Sequence, residues 1–323
     1  MESPVEVYFT ENINVYPADA FTPDTIQGVT VIDEVMGAFE AISSDGVTVL
    51  YTPRDSPMIK VYTASGDSLG AFGIKGQGPN DFYNATPVRI EIAGEGDTCV
   101  WLNDVSARML KRLNITRSRV AGTALVDSVI NTEFGAINAT LAGNRLVYEL
   151  MDNDAYKLKW RDMDNPADTV HVEQMYVYPT QDFYAYYSRE GVSPDGKHVV
   201  FGMAYFNQLN IVDIPSMERR AVSVGNLMKY DDCYDSRERS NKYDGYGSVA
   251  CGTDNIYAIY FGTPVTDDDV PERTTTTIHV IGYDGTVRAV HIVPDVLMAL
   301  FFNSDSGKLC GIDDNDRIIQ YDI

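Results

Sequence analysis

The sequence is short of basic residues, of histidine and of cysteine, and each shortage excludes something. Lys and Arg together number 25 against 47 Asp and Glu, a formal net charge of −22. A field of that sign repels phosphate backbones and anionic headgroups, so nucleic acid and charged lipid surfaces are excluded as partners. Only four cysteines are present, Cys99, Cys233, Cys251 and Cys310, and no two form a C-x-x-C pair, which argues against a cysteine zinc site. Cys99 and Cys310 sit in apolar runs, where a free thiol packs as a small hydrophobe; a Cys233–Cys251 bridge is the alternative. No apolar run approaches the roughly 18 residues of a spanning helix. The opening Met1-Glu2-Ser3-Pro4 lacks the basic and apolar regions of a signal peptide, so the chain reads as soluble. Helical periodicity is also nearly missing.

What the sequence has is a repeated strand pattern. Short runs of β-branched and aromatic residues alternate with polar ones and stop at Gly, Asp, Asn or Pro, the signature of an all-β chain. A tight turn followed by an apolar strand recurs six times: before Val47–Tyr51, Cys99–Leu102, Leu146–Tyr148, His198–Phe201, Ile256–Tyr260 and Leu309–Ile312. Anchored on Gly46, Gly96, Gly143, Gly196, Asn255 and Gly307, the spacings are 50, 47, 53, 59 and 52 residues. That is close to the roughly 40 to 50 residues of a four-stranded propeller blade. The spacing predicts a six-bladed β-propeller of four-stranded antiparallel blades, a single domain over residues 1–323. Residues 1–27 are read as an N-terminal extension and 34–323 as the blades. The last repeat stops one strand short at Ile323, and residues 28–33 are expected to supply that strand and close the ring.

The segment Gly73-Ile74-Lys75-Gly76-Gln77-Gly78-Pro79-Asn80-Asp81-Phe82 resembles the G-x-x-G-Q-G-P-x-[DE]-F signature of six-bladed TolB-like propellers of Bacteroidetes. Ile59–Tyr62 with Gly66-Asp67 resembles the lead-in strands of that family and of NHL-type blades, and Ser193-Pro194-Asp195-Gly196-Lys197 resembles their S-P-D-G-K turn. The resemblance covers all six repeats in rhythm but only two places in letters. It implies a periplasmic or cell-surface protein matured from a lipoprotein-type precursor, a monomer touching the membrane only through an N-terminal lipid anchor outside this chain. It carries over no catalytic residue. Read physically, Gly73, Gly76 and Gly78 with Lys75 could cradle a phosphate, but such a loop must open a helix, and here it leads toward a strand. Glycines at positive φ explain the same letters.

In an up-and-down blade, the second-to-third strand loops and the connections between blades lie at one end. The long connections, 76–87, 176–187, 226–245 and 262–274, all fall there, which marks that face as the functional surface. It carries the predicted partner-binding residues Tyr184, Tyr186, Tyr187, Arg189, Tyr230, Tyr234, Asp267, Asp268 and Asp269. Tyr176, Tyr178, Phe183, Tyr243 and Tyr246 belong to the same aromatic set. Exposed tyrosines offer stacking area and hydroxyls to a protein or a glycan, and the negative field favours a neutral or cationic ligand. Loop aspartates Asp104, Asp152, Asp154, Asp267 to Asp269, Asp313, Asp314 and Asp316 could hold Ca²⁺; the favoured reading is that they form turns and that no cofactor is needed. All four histidines, His171, His198, His279 and His291, fall outside the innermost strands, as core residues would. Function is expected to be non-catalytic binding. The alternative is a metal-dependent propeller hydrolase or lactonase using some of Glu40, Glu91, Asn138 and the loop aspartates.

Overall fold

The computed structural model describes residues 9–94, 96–152, 155–165, 171–177, 187–225, 227–228, 242–265 and 272–323. Three short strands come first: β1 (Ile13–Tyr16), β2 (Asp24–Thr25) and β3 (Gly28–Ile32). Four-strand runs follow: β4 (Glu40–Ser44), β5 (Val47–Tyr51), β6 (Ile59–Thr63) and β7 (Ser68–Phe72), then β8 (Thr86–Ala93), β9 (Asp97–Asp104), β10 (Met109–Asn114) and β11 (Val126–Asn131). Next are β12 (Ala136–Ala142), β13 (Arg145–Asp152), β14 (Ala155–Asp162) and β15 (His171–Val177), and then β16 (Ser188–Val192), β17 (His198–Met203), β18 (Gln208–Asp213) and β19 (Arg219–Val224). The chain ends with β20 (Lys242–Cys251), β21 (Asn255–Val265), β22 (Thr276–Gly282) and β23 (Val287–Val293), and with β24 (Leu297–Asn303), β25 (Lys308–Asp313) and β26 (Ile318–Tyr321). Every one of the six marker strands read from the sequence is the second strand of its run.

Sheet order follows chain order within each run, the meander that alternating strands and tight turns dictate. Among the described residues the strands form five sheets rather than six separate ones. The first and last runs share one eight-stranded sheet, β3-β26-β25-β24-β4-β5-β6-β7. The fusion has a local cause: Asn303 on β24 pairs in parallel with Ser43 on β4, Ser304 N donates to the Ser43 carbonyl at 3.2 Å, and the Asp305 carboxylate accepts from Asp45 N and Gly46 N at 3.0 and 2.8 Å. At the far edge β3 lies beside β26, where the sequence places the missing strand.

Two features were not read from the sequence. The N-terminal extension does not hang free: β1 adds to β19 and β2 to β23 as parallel fifth strands, with Ile13 opposite Ala221 and Asp24 opposite His291. Each covers an outer strand that would otherwise present bare N–H and C=O groups. A two-turn helix, α1 (Ile115–Ala121), also intervenes between β10 and β11. Its Asn114 cap accepts from Arg117 N at 2.9 Å, and Gly122 ends it at φ +68°, so the caps rather than any apolar stripe define it.

The chain divides into two compact units. One takes in the described residues of Met1–Gly28, Asn153–Tyr156 and Gln174–Leu300; the other those of Val29–Asp152, Lys157–Glu173 and Phe301–Ile323. The core of the first gathers Val200, Leu209, Val222, Tyr246, Ile256 and Ile281, with Tyr16 and Phe21 of the N-terminal segment packed against it. The second holds two clusters, one around Val49, Ile59, Phe82, Leu102 and Leu113 and one around Trp101, Leu110, Leu146 and Tyr148. Cys99, Cys251 and Cys310 are buried free thiols, each pushed up to about 11 or 12 by burial. Cys251 is therefore unbridged, and Cys233 lies outside the described residues. No helix among the described residues is long and apolar enough to cross a membrane.

Candidate functional site

Of the nine predicted partner-binding residues, Tyr184, Tyr186, Tyr230, Tyr234, Asp267, Asp268 and Asp269 lie outside the described residues, as do Tyr178 and Phe183. Tyr187 and Arg189 are described and lie together. Arg189 Nη1 donates to the Tyr187 hydroxyl at 2.8 Å, and the guanidinium carbon stands 5.0 Å from the centre of the Tyr187 ring. Tyr187 is exposed, while Arg189 Nε is buried with no hydrogen-bond partner among the described residues. The pair is a small cationic and aromatic surface at the start of β16. Tyr246, grouped with the exposed tyrosines in the sequence, is instead buried: it and Tyr243 lie on β20, and strand register, not loop length, sets which way their rings point.

The glycine-rich segment is a closed structural loop. Gly78 N donates to Asp81 Oδ2 at 2.8 Å, and a Cβ on Gly76 or Gly78 would stand 2.3 or 2.7 Å from that same oxygen. The chain's own carboxylate thus fills the place a phosphate would take. Only Gly73 has positive φ, +77°, so Gly76 and Gly78 are required for close approach rather than for backbone handedness. Phe82 is fully buried under Lys111, whose Nζ is 5.0 Å from the ring centre, donates to the Asp81 carbonyl at 2.6 Å and pairs with Asp104 at 3.0 Å. Asp104 also accepts from Tyr83 N and Asn84 N.

The other candidate ligands are similarly engaged. Asp313 Oδ2 accepts from both Nε and Nη2 of Arg317 at 2.8 and 2.6 Å, and its Oδ1 accepts from Asn315 N; Asp316 accepts from Gly37 N at 3.0 Å. Glu91 pairs with Arg112 at 3.0 Å, and Asn138 donates to Glu149 at 3.5 Å. Among the described residues no three His, Cys, Asp or Glu stand grouped as metal ligands.

A concavity of about 490 Å³ lies in the first unit. Its walls come from the N-terminal segment (Ala18, Phe21, Pro23), the end of β19 with Gly225 and Met228, β20 and β21 (Tyr243, Tyr260, Phe261), and β22 (Thr277, His279). It therefore lies at the base of two long connections, 226–245 and 262–274. Tyr260 donates to the Val224 carbonyl at 3.2 Å and shares a 2.9 Å hydrogen bond with the Tyr243 hydroxyl. The Tyr260 and His279 rings are 4.3 Å apart, and His279 Nδ1 meets the buried Tyr246 hydroxyl at 3.3 Å. Burial alone lowers the His279 pKa to about 4, so the imidazole is neutral at pH 7, and burial raises both Tyr246 and Tyr260. The sequence located the two connections but not the cavity, because the Phe21 wall belongs to what read as a free extension.

No protein-family model matches the chain, and no curated protein matches it in sequence. Among solved structures it is similar to a protein of Bacteroides fragilis NCTC 9343 inferred to be exported, with TM-score 0.58 and 12% identity over 96% of this chain and 98% of that one. It is also similar to Kuenenia stuttgartiensis hydrazine synthase, with TM-score 0.49 and 12% identity over 90% and 77%. A third is the β-propeller domain of Myceliophteria thermophila Cps50 (Swd1), with TM-score 0.44 and 9% identity over 89% and 96%. At such identities the likeness is one of fold alone, and the fold is an all-β propeller.

Proposed function

We propose that this protein is a non-catalytic binding propeller of the bacterial cell envelope, engaging a protein or glycan partner through its loop-rich face. The observation that carries the reading is the coincidence of the 490 Å³ cavity with two of the long connections that the sequence assigns to that face. The carboxylates suited to hydrolysis work against the enzymatic alternative: Glu91, Asp104 and Asp313 each hold an Arg or Lys of the chain itself. The blade count is six in this reading, with the eight-stranded sheet counted as two blades because among the described residues one ladder pair, Asn303 opposite Ser43, links β24 to β4. The TolB-like and NHL-like resemblance supports that count. A periplasmic or cell-surface setting, a monomeric state and a lipid anchor upstream of this chain follow from the same resemblance, and the exported character of the Bacteroides fragilis protein agrees.

The test is a glycan array and a panel of purified envelope proteins, probed with the parent chain and with Tyr184, Tyr186 and Tyr187 all changed to Ala. Binding that weakens in the triple variant while its melting temperature holds supports the reading. Binding untouched by changes anywhere on the loop-rich face, or a stoichiometric tightly bound Ca²⁺ accompanied by hydrolase activity, overturns it.

A further inference from the structure

We infer that the 490 Å³ cavity is a binding site for an uncharged, hydroxyl-bearing ring, a saccharide of one or two units. The inference deepens the binding reading and rests on it only for the idea that the protein binds at all. A volume of 490 Å³ lies inside the roughly 300 to 1,000 Å³ range of small-molecule sites. The class of ligand follows from what lines it.

Among the described residues that line it there is no Asp, Glu, Lys or Arg. Within the described lining an anion would meet no cation, and it would enter against a chain of net charge −22; a cation would meet no described carboxylate. A purely apolar ligand fits no better. Thr277 and His279 are two apart on β22 and so share one of its faces, with Tyr260 directly opposite Thr277 in the register. The Thr277 hydroxyl and His279 Nε2 hold no hydrogen bond among the described residues, although His279 is only 2% exposed. Covering such groups with hydrocarbon strips their water and returns nothing.

A hydroxyl suits His279 in either tautomer. If the Tyr246 hydroxyl donates to Nδ1, then Nε2 carries the proton and donates to the ligand; if Nδ1 donates, Nε2 accepts. Only a group that both gives and takes a hydrogen bond serves both cases. Around this polar row stand Phe21, Tyr243, Tyr260 and Phe261, flat faces against which the C–H side of a pyranose packs. Alternating hydroxyls and C–H faces are what a sugar ring presents.

The experiment is saturation-transfer NMR on the full chain with methyl β-glucoside, methyl β-galactoside, methyl α-mannoside and N-acetylglucosamine, with benzoate and benzamidine as charged controls. At least one sugar is expected to receive saturation and neither control to do so. Two variants act by different routes: T277V removes a hydrogen-bonding group, and A18F fills the cavity from an exposed position on the N-terminal segment. Each is expected to weaken sugar affinity at least about tenfold with the melting temperature kept. A Val120→Ala, Phe134→Ala double variant, at exposed positions outside the cavity lining, is expected to leave it unchanged. Sugar binding kept in T277V and A18F but lost when Tyr184, Tyr186 and Tyr187 are all changed to Ala overturns the cavity assignment and leaves the surface reading standing. So does a chain that binds an envelope protein and none of the four sugars. Preference for either charged control overturns the ligand class.

Discussion

Acid should destabilise this protein through His279, and the size of the effect can be worked out. The imidazole is 2% exposed, faces the rings of Tyr246 and Tyr260, and has burial as the sole cause of a pKa lowered from 6.5 to about 4. As the pH falls below 6.5 the unfolded chain takes up a proton that the native imidazole refuses until about pH 4. The unfolded state binds more protons over that window, so stability is fully present above pH 6.5 and is lost as pH falls toward 4. At 1.36 kcal/mol per pH unit the loss between pH 7 and pH 4 is about 3 kcal/mol. Burial also lowers His198 and His291, against the pull of Asp213 and Asp24, and they contribute with the same sign. The measurement therefore subtracts them: equilibrium urea unfolding of the parent and of H279Q at pH 7, 6, 5 and 4. The parent-minus-variant difference should fall by about 3 kcal/mol across the series. A difference constant with pH would refute the burial argument, whatever the offset caused by the changed side chain.

Four further outcomes follow from the geometry. Lys111→Met leaves Asp104 buried without its cation and should cost about 3 to 5 kcal/mol in chemical denaturation, more than the K111M/D104N double change; a loss below about 1 kcal/mol would count against the pair. Gly76→Ala drives a Cβ into Asp81 and should lower stability by about 1 to 3 kcal/mol, with part of the loss recovered in G76A/D81A. Asp305→Ala removes the acceptor for Asp45 N and Gly46 N and should cost about 1 to 2 kcal/mol, read as a lower denaturation midpoint at unchanged slope. Deleting residues 1–33 strips β1, β2 and β3 from three sheet edges and should lower the melting temperature far more than trimming a frayed terminus; a deletion that melts like the parent is the contrary result.

The strands themselves were legible in the amino-acid order. Alternation of Val, Ile and aromatic residues with polar ones, cut by Gly, Asp and Asn, is a signal carried by neighbours in the chain. It located the second strand of each run, such as Val47–Tyr51 and Leu309–Ile312; in the structure Gly28–Ile32 lies beside β26, the strand that follows the last of them. Helix α1 escaped because seven residues are too few for an apolar stripe, although Asn114 and Gly122 were in plain view. The long connections that flank the cavity were also visible as insertions. What only the tertiary structure decided depends on residues distant in the chain. The parallel pairing of β1 with β19 leaves no local mark, since its partners lie some two hundred residues apart. The direction of Tyr246, inward against His279, depends on register between β20 and β21, where bulges break the simple two-residue period. The cavity needs Phe21, Tyr260 and His279 brought together in one lining, and that nearness is set by packing between strands rather than by any spacing along the chain.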